Sequence, residues 1–143
     1  MDLKDIVAIS GMGGLFEMKA QRSNGMIVSR IGEDKKVFVS DRNHFFTPLE
    51  NITIYTENEE GKELAEVFRI MKEKENDQPV PDPKTSDNEL ADYFALIVPD
   101  YDREKVYKSD MRKMVKWYRI LDEAGLVDTK RPESENEPAP DKE

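Results

Sequence analysis

One histidine, no cysteine and 31 carboxylates bound the chemistry open to this 143-residue chain. Without cysteine there is no thiolate nucleophile, no thiolate metal ligand and no disulfide. His44 is the single imidazole, and Asp41 stands three positions before it, where it could orient a general base. Such a base needs a nucleophile within hydrogen-bond reach. Ser10, Ser40 and Thr47 are the nearby hydroxyls, and none sits in a recognisable nucleophile elbow. A polar turn histidine is the stronger reading, and a hydrolase is kept as a minor alternative. Glu57, Glu59 and Glu60, like Asp82 and Asp87, are close in sequence. In so acidic a chain that is expected of solvated surface, and acid–base work would need two carboxyls in contrasting environments. No zinc or calcium spacing is present. No catalytic residue, metal or cofactor is therefore expected.

Gly11-Met12-Gly13-Gly14 follows an apolar run, as a dinucleotide-binding loop would. That fingerprint needs a third glycine where Phe16 stands, and a helix after it. The residues that follow alternate instead, so a glycine-rich strand connection is the better reading. The most informative charge pattern lies further on. Arg103, Lys105, Lys108, Arg112, Lys113, Lys116 and Arg119 face only Glu104 and Asp110. Arg112, Lys116 and Arg119 fall at i, i+4 and i+7 and share one helix face, with Trp117 and Tyr107 near enough to offer rings. A basic stripe with interleaved aromatics is a nucleic-acid footprint. The plainer reading is a solvated face balancing acidic neighbours, and a net charge of −9 favours it by repelling phosphate.

The elements that must position these groups divide the chain. Ile6–Ile9, Leu15–Ala20, Met26–Ile31, Lys36–Ser40 and Ile52–Tyr55 read as five short strands, the second by its apolar–polar alternation. Ser23-Asn24-Gly25 reads as a hairpin turn using the positive φ that Asn and Gly tolerate. Five strands in so short a span suit a small SH3-like β-barrel over residues 1–56. Phe45, Phe46 and Pro48, between the last two strands, would cover one end of it. Thr56-Glu57-Asn58-Glu59 has capping-box spacing, and Leu64, Val67, Phe68 and Met71 recur at helical spacing. An amphipathic helix over 59–74 is expected, within a connecting segment 57–75 packed on the barrel.

A proline-rich linker over 76–85 follows, carrying Pro79, Pro81 and Pro83, which deny a continuing helix. Residues 86–127 read as a small helical subdomain. Its first helix is capped at Ser86 and carries Leu90, Tyr93, Phe94 and Ile97. Its last is capped at Ser109, carries Met111, Met114, Val115, Tyr118 and Leu121, and ends at Gly125 in the left-handed conformation. The methionines, Met18, Met26 and Met71 among them, are read as core at these spacings rather than as a groove. Residues 128–143 have the composition of a disordered acidic tail. The fold class is thus α+β.

Charge follows the same division. Residues 1–56 hold seven acids and seven bases, and residues 57–143 hold 24 acids against 15 bases. The charged opening and the lack of any long apolar run predict neither a signal peptide nor a membrane span. A cytoplasmic protein is expected.

Asp2 to Gly11, Phe45 to Glu50, Val98 to Asp102 and Lys116-Trp117-Tyr118 resemble a family of small uncharacterised bacterial proteins. The resemblance runs from Met1 to about Val127. It implies a bacterial, cytoplasmic protein and no activity. By fold analogy alone, such barrels present loops and one sheet face to peptides or nucleic acids. The expected function is a non-enzymatic adaptor that recognises another protein, with Phe45, Phe46 and Pro48 as contacts. The alternative is an RNA- or DNA-binding accessory protein using Arg112, Lys116, Trp117 and Arg119. The acidic tail, folded back on that stripe, would compete with the nucleic acid.

Overall fold

Alternate residues of the strand Ile6–Ile9 (β1) face opposite ways, and both faces are covered. Ile6 and Ala8 pack under helices, while Val7 and Ile9 enter a second, smaller apolar cluster. The computed structural model describes residues 3–58 and 60–128. The expected tail therefore lies almost wholly outside the described residues, as does Glu59.

Strands Met12–Arg22 (β2), Gly25–Arg30 (β3), Lys36–Ser40 (β4) and Phe46–Pro48 (β5) join β1 in one antiparallel sheet ordered β4-β3-β2-β1-β5. The expected α+β class holds, but the barrel is not closed. β4 and β5 are the two edges of an open sheet. Irregularities within β1 and β2 bend it, and all five strands contribute to the smaller cluster around Phe16 and Val28.

The fifth strand is not the expected one. Phe46–Pro48, read from sequence as a cover for the barrel end, pairs with β1 through Ile9↔Phe46 and Val7↔Pro48. Its proline is tolerated because an edge strand need not donate on both sides. Thr53–Ile54 (β6) pairs instead with Lys62–Glu63 (β7) in a separate small hairpin.

Two turn readings also change. Ser10-Gly11 makes a tight turn into β2, with Gly11 at φ +78°, so the glycine-rich segment is strand and no nucleotide-loop helix follows. At Ser23-Asn24-Gly25 a turn forms, yet neither Asn24 nor Gly25 has positive φ. Gly25 is required by proximity, since a Cβ there would lie 2.3 Å from the Val39 carbonyl oxygen.

The helices are Leu64–Lys74 (α1), Asp87–Ile97 (α2) and Lys108–Glu123 (α3). α1 begins five residues later than the expected 59. Thr56 builds a turn rather than a cap, its hydroxyl donating to Asn58 Oδ1 and accepting from the Gly61 N–H at 3.1 Å. Ser86 caps α2 as expected, its Oγ accepting from the Glu89 N–H at 3.2 Å. The Thr85 hydroxyl and the Ser86 groups hold the Glu89 carboxyl below its usual range. α3 starts at Lys108, ahead of the expected Ser109 cap, because Asp110 reaches back to accept the Tyr107 N–H at 2.9 Å. Gly125 ends it at φ +73°, as its position predicts.

Helices and sheet share one core. Leu3, Ile6 and Leu15 from the sheet side meet Phe68 of α1, Phe94 of α2 and Tyr118 of α3 in the same cluster. Phe68 and Tyr118 meet edge-on at 5.9 Å, as do Phe94 and Tyr101 at 5.0 Å. On the rim, Lys72 bridges Glu75 and Asp122, each at 3.0 Å, and ties α1 to α3. The Asp122 carboxylate, then Glu75, keeps that ammonium protonated beyond its usual range.

Burial raises the phenol pKa values of Tyr93 and Tyr118, and the nearby Glu75 carboxylate adds to both shifts. A group whose folded pKa is raised stabilises the fold below its unfolded pKa of about 10, and that stability is lost as pH rises through the folded value. An alkaline titration followed at the phenolate absorbance should therefore show these two rings ionising late, together with unfolding. Tyr93→Phe and Tyr118→Phe should each remove one late ionisation. If both variants keep the wild-type titration curve, the assignment is wrong.

Candidate functional site

α3 has two flanks beside its buried stripe, and they are furnished differently. On one flank lie Arg112, Lys116 and Arg119, the stripe picked out by its i, i+4, i+7 spacing. The proline connector runs along this flank. Arg112 donates to the carbonyls of Pro83 and Thr85, the latter at 2.9 Å, and pairs with Asp87 at 2.7 Å. Arg119 donates to the Pro81 carbonyl at 3.2 Å and to that of Val80 at 3.0 Å. A proline-rich strand has few N–H groups and no ladder of its own, so its carbonyls need outside donors. The planar guanidinium supplies several in a fixed fork. Both arginines are thus engaged by the chain itself, and only Lys116 of the three is exposed.

The other flank carries Asp110, Lys113, Met114 and Trp117, which face β6 across a cleft of about 210 Å³. Ile54, Val106 and Met114 are buried and form its apolar floor. Its walls are aromatic and cationic. Lys113 Nζ lies 5.9 Å from the centre of the Trp117 ring, and Lys105 Nζ lies 5.3 Å from that of Tyr55. Tyr55 follows β6 and is 56% exposed, pointing away from the core as the neighbour of buried Ile54. Its backbone is anchored on the segment after α2. The Asp102 N–H donates to the Tyr55 carbonyl at 2.9 Å, and Thr56 bridges Tyr101.

Lys105, Lys108, Lys113 and Lys116 make no ion pair among the described residues. Asp110, the carboxylate in the lining, is already occupied by the Tyr107 N–H. The cleft therefore offers two rings and unneutralised lysines over an apolar floor. Such a lining can offer an anionic ligand cationic and ring-face contacts.

His44 is likewise turned to structure. Its Nδ1–H donates to the Ser10 main-chain carbonyl at 2.8 Å, and Ser10 Oγ accepts from the Phe45 N–H at 2.7 Å. The serine hydroxyl is aimed at the backbone, so this corner holds the loop before β5 against the β1–β2 turn. Among the described residues no group of three or more His, Asp or Glu could hold a metal ion.

The remaining predicted contacts stand apart from the cleft. Phe45 is 81% exposed, while Phe46 and Pro48 are half-buried along β5, and none of them lines the cleft. Of the contact residues expected from sequence only Trp117 lines it, beside Lys105 and Lys113 of the wider basic stretch. Tyr55, Lys105 and Lys113 were passed over as ligand contacts. The Lys113–Trp117 pair was legible as i, i+4 on one helix, but the approach of Tyr55, from a different hairpin, left no local signal.

Among the described residues no helix is long and apolar enough to cross a membrane. No curated protein matches the chain. A solution NMR structure of a protein from Bacteroides vulgatus matches it at 33% identity over 94% of each chain, with a TM-score of 0.73. Residues 3–49 match the domain of unknown function DUF5606, and residues 52–121 match the domain of unknown function DUF6852. The two matches abut at the 3-10 turn Leu49–Asn51, where the sheet hands over to the β6–β7 hairpin. The chain belongs to a bacterial family of unknown function, and carries its DUF5606 segment ahead of its DUF6852 segment.

Proposed function

We propose that this chain is a non-enzymatic binding protein that recognises an acidic, extended segment of a protein partner in the cleft between β6 and α3. The observation that carries the reading is the pairing of exposed Tyr55 and half-buried Trp117 with lysines that lack carboxylate partners. In a chain of net charge −9, a cluster of unneutralised lysines is not a by-product of composition. Fold analogy adds modest support. The order β4-β3-β2-β1-β5, with a long bent β2, is read here as an opened SH3-like barrel, an architecture that often serves peptide recognition. Phe45 is a second candidate contact on the sheet edge. A cysteine-free chain also fits the cytoplasm.

Nucleic-acid binding is the second reading, and the same rings and lysines favour it, since aromatics stack on bases of any sequence. Against it, Arg112 and Arg119 already donate to the connector's carbonyls.

Trp117 is the single tryptophan, so its fluorescence reports on the cleft directly. A short glutamate-rich peptide is expected to shift its emission in a salt-dependent way. Lys105→Glu combined with Lys113→Glu should weaken that binding at least about tenfold, the scale of two desolvated cationic contacts. A single-stranded oligonucleotide that binds where the peptide does not would replace this reading with the second. If neither shifts the emission, both readings fall.

A further inference from the structure

We infer that the cleft is occupied in cis by this chain's own tail, through the segment Glu133-Ser-Glu-Asn-Glu-Pro-Ala-Pro140. The inference rests on the cleft being the binding site and names its internal competitor. Charge is the first argument. Glu133, Glu135 and Glu137 have no cation between them, and in an extended chain every second residue faces the same way. Bound in an extended form, the segment would turn these carboxylates to one side, toward the lysines over Tyr55 and Trp117. The second argument is the Pro138-Ala139-Pro140 that follows. Proline-rich segments dock into aromatic-lined grooves because they lose little entropy on binding and present flat apolar rings.

The opposite flank of α3 supplies a precedent within this molecule. There a proline-rich stretch, Val80 to Pro83, already lies along the same helix and is held by basic side chains. The second flank offers Lys113 and Trp117 in place of Arg112 and Arg119.

Reach is sufficient. Val127 is buried in the main core just past the end of α3, and the Leu126 N–H bonds back to the Leu121 carbonyl at 2.9 Å. The tail thus leaves from beside the helix. Trp117 is eight residues before Gly125, about 12 Å along the axis. The five residues from Asp128 to Glu133 span up to about 17 Å. Tethering puts the segment at an effective concentration on the order of millimolar, so the tethered copy outcompetes a separate peptide that binds the same cleft. A partner with a stronger acidic segment would displace the tail, and the cleft is closed to weaker ones.

The test uses the full chain and a full-length triple variant, Glu133→Gln with Glu135→Gln and Glu137→Gln. Two readouts are taken, acrylamide quenching of Trp117 and affinity for a synthetic peptide of residues 129–143 added in trans. In the variant, quenching should rise and the added peptide should bind about tenfold more tightly, because the tethered competitor is gone. Protection of Trp117 in the parent should be independent of protein concentration. Equal quenching and equal peptide affinity in the two proteins would overturn the inference while leaving the cleft as a binding site. Protection that fades on dilution would overturn it in favour of a second copy's tail. Peptide binding to neither protein would overturn it together with the function proposed for the cleft.

Discussion

Phe68→Ala is expected to destabilise the chain by about 3–5 kcal/mol, and to bring sheet and helices down in a single transition. Phe68 is fully buried, packs edge-on against Tyr118, and belongs to the cluster that joins Leu3, Ile6 and Leu15 to all three helices. Removing the ring leaves a cavity where three elements meet, and a rigid interior refills such a space poorly. Against a typical folding stability of about 5–15 kcal/mol, the loss is a large fraction. Urea unfolding should be followed by Trp117 fluorescence, which reports α3, and by far-UV circular dichroism, which also reports the sheet. Coincident curves at a lowered midpoint are the expected result. Two separated transitions, or a midpoint that hardly moves, would show that the core is not shared energetically.

The second large effect concerns the connector. Arg112→Ala with Arg119→Ala removes the donors to the carbonyls of Val80, Pro81, Pro83 and Thr85. Each charge-assisted bond contributes about 1.5–3 kcal/mol when one partner is deleted, and exposure and non-additivity bring the combined loss to roughly 2–4 kcal/mol. The connector should also become the first site of proteolytic nicking, since its backbone loses its anchors. Arg→Lys at both positions should restore little, because an ammonium cannot reproduce the fork. Peptide binding at the Trp117 cleft should persist at denaturant-free conditions. If the double alanine variant keeps its stability and its proteolysis pattern but loses nucleic-acid affinity, the stripe is an interface rather than a clamp.

These two arginines mark how far the sequence could be read. The i, i+4, i+7 spacing correctly put them on one face, turned from the Met111–Tyr118 stripe. It could not say what lies against that face. Arg112 meets Thr85 across 27 residues and Arg119 meets Val80 across 39, and the proline composition that suggested a linker gave no sign that it was docked. The same limit applies at β5. Phe46-Thr47-Pro48 is short and closed by a proline, which argues against a strand in sequence, and becomes one because β1 presents an open edge to it. Thr56 carried capping-box spacing in sequence, yet the β6–β7 hairpin and the bridge to Tyr101 pull it into a turn and delay α1 to Leu64. Trp117 was legible as a ring beside lysines. Tyr55 was not, because its partner across the cleft lies on another element.

What depends on a few neighbouring residues could be read directly: the α+β class, β1 to β4 from short apolar runs between turns with alternation in β2, the Ser86 cap, the glycine that ends α3 and its buried stripe. Each follows from backbone sterics or from the period with which apolar side chains recur, and both are local properties. What depended on distant parts meeting was decided by packing alone. The sheet stays open, its fifth strand is Phe46–Pro48, and the two arginines hold the connector. The cleft exists because α3 and β6, some 60 residues apart, leave a gap beside a common core. Which surfaces come together is set by the sum of many weak apolar contacts over the whole chain, and no short stretch of sequence carries that sum.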